Sequence, residues 1–207
     1  MKKIKKSLFL LGDSISIHYR PFLLKSLNPQ WEVNGKDGLI EAMEDLDFPR
    51  GANGGDSDMI LDYLRETLPF PGTELILCNC GLHDIKRYPD KQGCQVSSSL
   101  YERNLEEILS LCRKTDTKFV WITITEFDET IHNQRQTSFK RLKKDLYLYN
   151  NIALEVMERN NVDIIDLSGY TRSLGLLEKY IDSVHFSLEI RKLQGEFLAE
   201  QFQKLVD

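Results

Sequence analysis

Short apolar runs alternate with longer amphipathic stretches along this chain, and that alternation restricts its possible folds more than any other feature. Residues 7–11 read as a buried strand that stops at Gly12. Residues 15–27 carry Ile17, Phe22, Leu23, Leu24 and Leu27, a helical pattern with an interruption expected near Pro21. A short second strand fits residues 31–33. Residues 56–68 place Met59, Ile60, Tyr63, Leu64 and Leu68 at helical spacing, with Asp56 or Ser57 available as N-cap. Residues 74–80 have the apolar density of a central parallel strand. Residues 100–112 form one apolar helical stripe, and residues 118–125, β-branched and aromatic, form a strong strand. A polar loop over 126–136 leads into a helix through residue 158. A further strand at 162–167 and a helix at 188–205 complete the pattern.

Strands separated by helices of this length imply βαβ units, right-handed crossovers and a parallel sheet covered on both faces. The expected architecture is a three-layer α/β/α sandwich around a mostly parallel five-stranded sheet. The chain has 207 residues against a prior of about 150 per domain. With no repeat, low-complexity tract or linker, residues 1–207 are expected to form a single domain. Residues 45–55, with Pro49, Gly51, Gly54 and Gly55, are a loop rather than a boundary.

Composition narrows the function classes. Hydrophobic residues make up 41% and charged residues 29%, which is ordinary globular usage. The net charge of -5 argues against nucleic acid as a partner, because such domains carry a basic patch or stripe. The lysines among the first eleven residues precede only Leu8, Phe9, Leu10 and Leu11 before Gly12. A signal peptide needs an apolar run of roughly 7–15 residues, so this segment is expected to be a first strand with a solvated basic lead-in. No run approaches the ~18 apolar residues of a membrane span, and a cytoplasmic location without membrane association follows as the expectation. Cys78, Cys80, Cys94 and Cys112 are expected to be free thiols that are buried or partly so. Neither the cysteines nor His18 and His132 show metal-ligand spacing, so no metal and no cofactor are expected.

In open α/β sheets ligands bind beyond the carboxyl ends of the strands. Gly12-Asp13-Ser14 follows the first strand, Gly81-Leu82-His83-Asp84 follows the third, and Asp182-Ser183-Val184-His185 lies beyond the last. Ser14 stands between a strand and a helix, where it either caps the helix or displays a hydroxyl for chemistry. A serine nucleophile needs an adjacent base that is itself oriented by a third group. Asp182 and His185, three apart on a helical turn, would share a face and supply the orienting carboxylate and the base. His18 is expected on a helix surface, and His132 either in the substrate cleft or solvated. Lys140, Arg141, Lys143 and Lys144 are expected to form a solvated helix face.

The ordered set of these segments resembles the SGNH (GDSL-like) hydrolase superfamily. Residues 8–16 resemble its first block, Asn53-Gly54-Gly55-Asp56-Ser57 its second, Gly81-Leu82-His83-Asp84 its third and Asp182-Ser183-Val184-His185 its last. The resemblance implies a flavodoxin-like fold and a serine esterase with Ser14 as nucleophile, His185 as base and Asp182 as its partner. It also implies an oxyanion hole made by the backbone N–H groups of Ser14 and Gly55 (with Gly54 as the one-residue alternative) and by a side chain at position 83. The family places asparagine there; His83 can donate instead through a protonated ring nitrogen. Asp13 and Asp84 match family positions and are expected to organise loops. The implied substrate is a short-chain O-acyl ester of a small molecule or carbohydrate. Two alternatives stay open: an acyltransferase using the same acyl-enzyme, and a catalytically inactive ligand- or phosphate-binding α/β protein. Oligomeric state is not legible.

Overall fold

A computed structural model describes residues 5–175 and 179–206; the basic lead-in at residues 1–4 lies outside them. Five strands, β1 (Lys6–Leu11), β2 (Trp31–Gly35), β3 (Thr73–Cys78), β4 (Lys118–Ile122) and β5 (Asp163–Ile165), form one sheet in the order β2-β1-β3-β4-β5. All four pairings are parallel, so the expected α/β class and strand number both hold. Parallel strands need crossovers, and the amphipathic stretches supply them. Helices α1 (Ser14–Ser26), α7 (Leu167–Ser173) and α8 (Leu188–Val206) pack together, and α3 (Ser57–Thr67), α4 (Ser98–Lys114) and α6 (Lys143–Arg159) form a second packed group. Leu8, Ile76, Leu77, Val120, Trp121 and Ile122 are fully buried, as strands covered on both faces must be.

Three local readings change. Pro21 does not interrupt α1, which runs continuously through it. The helix is held by tertiary burial of Ile15, Ile17, Tyr19 and Leu23, which outweighs the one backbone bond a proline removes. The polar loop after β4 contains a helix, α5 (Glu129–Arg135), capped by the Asp128 side chain on Ile131 N–H. Within the 36–55 connection lies α2 (Leu39–Glu44), too short to show a period. Asp56, rather than Ser57, caps α3. The four thiols are free; Cys78, Cys80 and Cys112 are buried and Cys94 is partly so. Among the described residues no helix is long and apolar enough to cross a membrane.

The pairing of α1 with α8 positions the site, because α1 begins at Ser14 and α8 follows directly after His185. Gly195 of α8 lets the two helices meet. A Cβ there would stand 2.6 Å from Leu23 N and 2.6 Å from Phe22 Cβ. Gly195→Ala therefore sets two effects against each other. Helix propensity favours alanine by about 1 kcal/mol, whereas overpacking against backbone costs typically ~1–3 kcal/mol. The clash should win. We expect a net loss of up to ~2 kcal/mol in urea unfolding; a variant more stable than the parent would show that the helices part without cost.

Candidate active site

The N-terminus of α1 is built by Asp13. Its side chain accepts from Ile15 N–H at 2.9 Å, and its carbonyl accepts from Ser16 Oγ at 2.6 Å. Asp13, not Ser14, is thus the N-cap. Ser14 is the first residue of the helix, its N–H without an intrahelical partner and its hydroxyl turned elsewhere. Ser14 Oγ lies 2.8 Å from His185 Nε2, across 171 residues of sequence, and both residues are buried. His185 Nδ1 lies 2.7 Å from Asp182 Oδ2. The structure brings the three together as the spacing predicts, although not on a helical turn. Residues 181–187 form a loop closed by the Tyr180–Phe186 bridge. It wraps around Asp182 Oδ1, which accepts the N–H groups of Ser183, Val184 and His185 at 2.5, 2.6 and 2.8 Å.

Those contacts decide protonation. Burial raises the Asp182 carboxyl, but the hydrogen bond and charge of His185 and the loop amides outweigh it and hold the group well below the usual carboxylate range. An ionised carboxylate only accepts, so Nδ1 carries a proton, and in the neutral imidazole Nε2 then presents its lone pair to the Ser14 hydroxyl.

The loops expected to supply oxyanion donors stand as follows. Gly54 N–H donates to the Gly12 carbonyl at 2.8 Å. Gly55 adopts φ +75°, a conformation that suits glycine. Its N–H donates to Asn53 Oδ1 at 3.0 Å, a contact an oxyanion would share or displace. His83 is buried, and its Nδ1 has no partner among the described residues. Burial, then the charges of Lys86, Arg141 and His185, drive its pKa well below the usual imidazole value, so the ring is neutral. Asp84 ties this loop to the second block: its Oδ1 accepts Ser57 N–H at 3.0 Å and Ser57 Oγ at 2.5 Å. Asn104 Nδ2 in turn donates to Ser57 Oγ at 2.9 Å. Burial raises the Asp84 carboxyl to about 7. Asp13 and Asp84 act as loop organisers in this geometry.

Several residues lie where the sequence did not suggest. His18 is buried rather than on a helix surface, its ring edge-to-face with His185 at 5.2 Å between centroids. His132, expected either in the substrate cleft or solvated, is not solvated: it is buried, with Nδ1 3.2 Å from Ser183 Oγ. It lines a cavity of about 190 Å³ together with Asp47, Arg135, Gln136 and the 182–185 turn. Arg141 is buried, not part of a solvated helix face; it precedes α6 and pairs with Asp47 at 3.1 Å. Lys86 is also buried, donating to the Asp47 carbonyl. No sequence signal marks Asp47, Lys86 or Arg141, because their partners are 39 to 94 residues away. Among the described residues no group of His, Cys, Asp and Glu is placed to hold a metal ion.

No family model and no curated protein sequence matches the chain. Solved structures do match it in three dimensions. A lipase/acylhydrolase from Enterococcus faecalis is 16% identical with TM-score 0.68, over 97% of this chain and 96% of that one. A GDSL-like lipase from Bacteroides thetaiotaomicron is 16% identical with TM-score 0.67, over 97% and 89%. The fold is that of the GDSL-like acylhydrolases. A carbohydrate acetylesterase from Sinorhizobium meliloti also matches, 14% identical with TM-score 0.62, over 97% of this chain and all of that one.

The buried imidazoles generate a pH dependence. Burial is the largest cause in each case: it lowers His18 and His132 from 6.5 to about 4, and His83 also moves down. Between pH ~6.5 and ~4 the unfolded chain binds protons that the native state refuses, so these groups make stability fall as pH falls. The slope is at most about 1.4 kcal/mol per pH unit for each. Burial pushes Asp13 and Asp84 upward, which opposes this over the same range. The difference between proteins isolates the histidine. We expect His132→Gln to lose less urea stability than the parent between pH 7 and pH 5; equal losses would mean that His132 is not held neutral.

Proposed function

We propose that this protein is a serine esterase that hydrolyses a short-chain O-acyl ester of a small molecule or carbohydrate through an acyl-enzyme. The observation that carries this reading is the continuous chain Ser14 Oγ–His185 Nε2, His185 Nδ1–Asp182 Oδ2, at 2.8 and 2.7 Å. A helix cap would not require it. A serine hydroxyl at an ordinary pKa is a weak nucleophile, and a correctly tautomerised imidazole within hydrogen-bond reach is what activates it.

Ser14 Oγ attacks the ester carbonyl carbon while its proton passes to His185 Nε2. Asp182, kept ionised by its own loop, stabilises the imidazolium. The carbonyl oxygen becomes an oxyanion, held by the N–H groups of Ser14 and Gly55 and by the His83 ring. His185 returns the proton to the departing alcohol. Water then gives a proton to His185 and attacks the acyl-enzyme carbonyl; the bond to Ser14 Oγ breaks, His185 returns the proton to Ser14 Oγ, and the carboxylic acid leaves.

The cavity beside His185 supports the substrate class. At about 190 Å³ it is smaller than the ~300–1,000 Å³ of pockets for drug-sized ligands. Two carboxylates, a guanidinium, an amide and imidazoles line it, a surface that suits a hydroxyl-rich alcohol better than an acyl chain. The acetylesterase and lipase names among the structural neighbours agree with ester hydrolysis.

Intact mass after treatment with a fluorophosphonate tests the nucleophile. A single adduct on the parent and none on Ser14→Ala is the expected result; an unlabelled, folded parent that leaves an acetyl ester intact would favour the inactive ligand-binding alternative. For the oxyanion hole, His83→Ala should lower kcat on an activated acetyl ester by ~100–1000-fold, about the effect of one lost donor. His83→Asn should retain far more activity than alanine, and parental turnover in His83→Ala would remove His83 from the mechanism.

A further inference from the structure

Arg141 is 1% exposed, and no step above uses it. A guanidinium stripped of water needs partners, and those it has are informative. Its Nε donates to the Leu82 carbonyl at 2.8 Å, and its Nη2 donates to Asp47 Oδ1 at 3.1 Å. Its plane lies over the Phe139 ring at 4.8 Å. The Leu82 carbonyl and the His83 N–H belong to one planar peptide unit. Fixing the first therefore fixes the backbone from which the His83 ring projects.

Asp47 makes the second link. It lies in the connection that leads to Gly55, and it is gripped from three directions. Arg141 holds Oδ1, Gln136 Nε2 donates to Oδ2 at 3.1 Å, and Lys86 Nζ reaches its carbonyl. Arg141 thus touches both segments that carry proposed oxyanion donors. Its own backbone is clamped as well. Asn133 accepts from its N–H at 3.1 Å and donates to its carbonyl at 2.8 Å, while Lys140 and Arg87 exchange two backbone bonds at 2.8 and 2.9 Å. A planar guanidinium reaches a carbonyl and a carboxylate at once, which an ammonium group does less well.

We propose that Arg141 is the positioning residue of the oxyanion hole, holding the Leu82–His83 peptide and the loop before Gly55 in register for the donor role proposed for His83. The inference rests on the serine-esterase reading. Arg141 acts through His83 and touches no substrate. Its charge, with that of Lys86 and with burial, also keeps the His83 ring neutral, so that the ring donates through one nitrogen only.

The test is a double-mutant cycle in steady-state hydrolysis of p-nitrophenyl acetate, with folding followed by thermal unfolding. Arg141→Met should lower kcat by ~100-fold with KM changed by less than about threefold, and Arg141→Lys should recover part of the loss. In the His83→Ala background Arg141→Met should cost far less, since the donor it positions is gone. Multiplicative losses, or parental kcat in Arg141→Met, would overturn the proposal. Should Arg141→Met not fold, Asp47→Asn replaces it in the same cycle, because Asp47 is partly exposed. Its loss should also shrink in His83→Ala, and undiminished loss would again overturn the idea. A parent without Ser14-dependent hydrolysis defeats the esterase reading itself, whereas Ser14-dependent turnover with multiplicative losses defeats only the role of Arg141.

Discussion

Strand β1 lies between β2 and β3, and from Ser7 to Leu11 it is buried. A parallel strand enclosed in this way has its side chains committed to packing, and only where it ends does the chain meet open space. At that end the connections diverge, one crossing to β2 and the other, by way of α3, to β3. The crevice left between them is the switch point of a 2-1-3-4-5 sheet. Ser14, Gly55 and His83 each stand on a loop at this crevice, and α8 returns the 182–185 turn to it. Every distance in the site follows from that one adjacency.

The polar groups gathered there are buried, and their surroundings assign their states. The Asp182 carboxylate is kept charged because three loop amides and an imidazole converge on it. His18, His83 and His132 are kept neutral because burial disfavours a charge on them, by more than the Asp182 carboxylate near His18 and the Asp47 and Asp182 carboxylates near His132 favour it. The result is one hydrogen-bonded chain, from Ser14 through His185 to Asp182, with neutral imidazoles nearby. The Arg141–Asp47 pair, with its guanidinium buried and its carboxylate partly exposed, is a different device. Removing the carboxylate leaves a buried guanidinium short of a partner, which makes the pair good at fixing one arrangement of loops.

Much of the fold was legible in the sequence. Residues 7–11, 74–80 and 118–125 carried dense apolar runs bounded by turns, and the structure places β1, β3 and β4 within them or one residue beyond. What escaped was short or context-dependent. Helix α2 spans six residues and α5 and α7 seven each, too few for a period to emerge. The continuity of α1 through Pro21 depends on burial that only the packed layers supply.

The sequence by itself determined the parallel α/β architecture and singled out Ser14, Asp182 and His185, which the structure brings into one hydrogen-bonded chain. Local chemistry marks both: hydrophobic period for the strands and helices, and nucleophile, carboxylate and imidazole at loop positions after strands. Only the tertiary structure decided that Gly54 N–H pairs with the Gly12 carbonyl, that His18 and His132 are buried, and that Arg141 is bonded to the Leu82 carbonyl rather than in solvent. Those outcomes depend on contacts between residues far apart in the chain, and whether a charge or an imidazole is solvated is set by what folds over it, not by its neighbours in sequence.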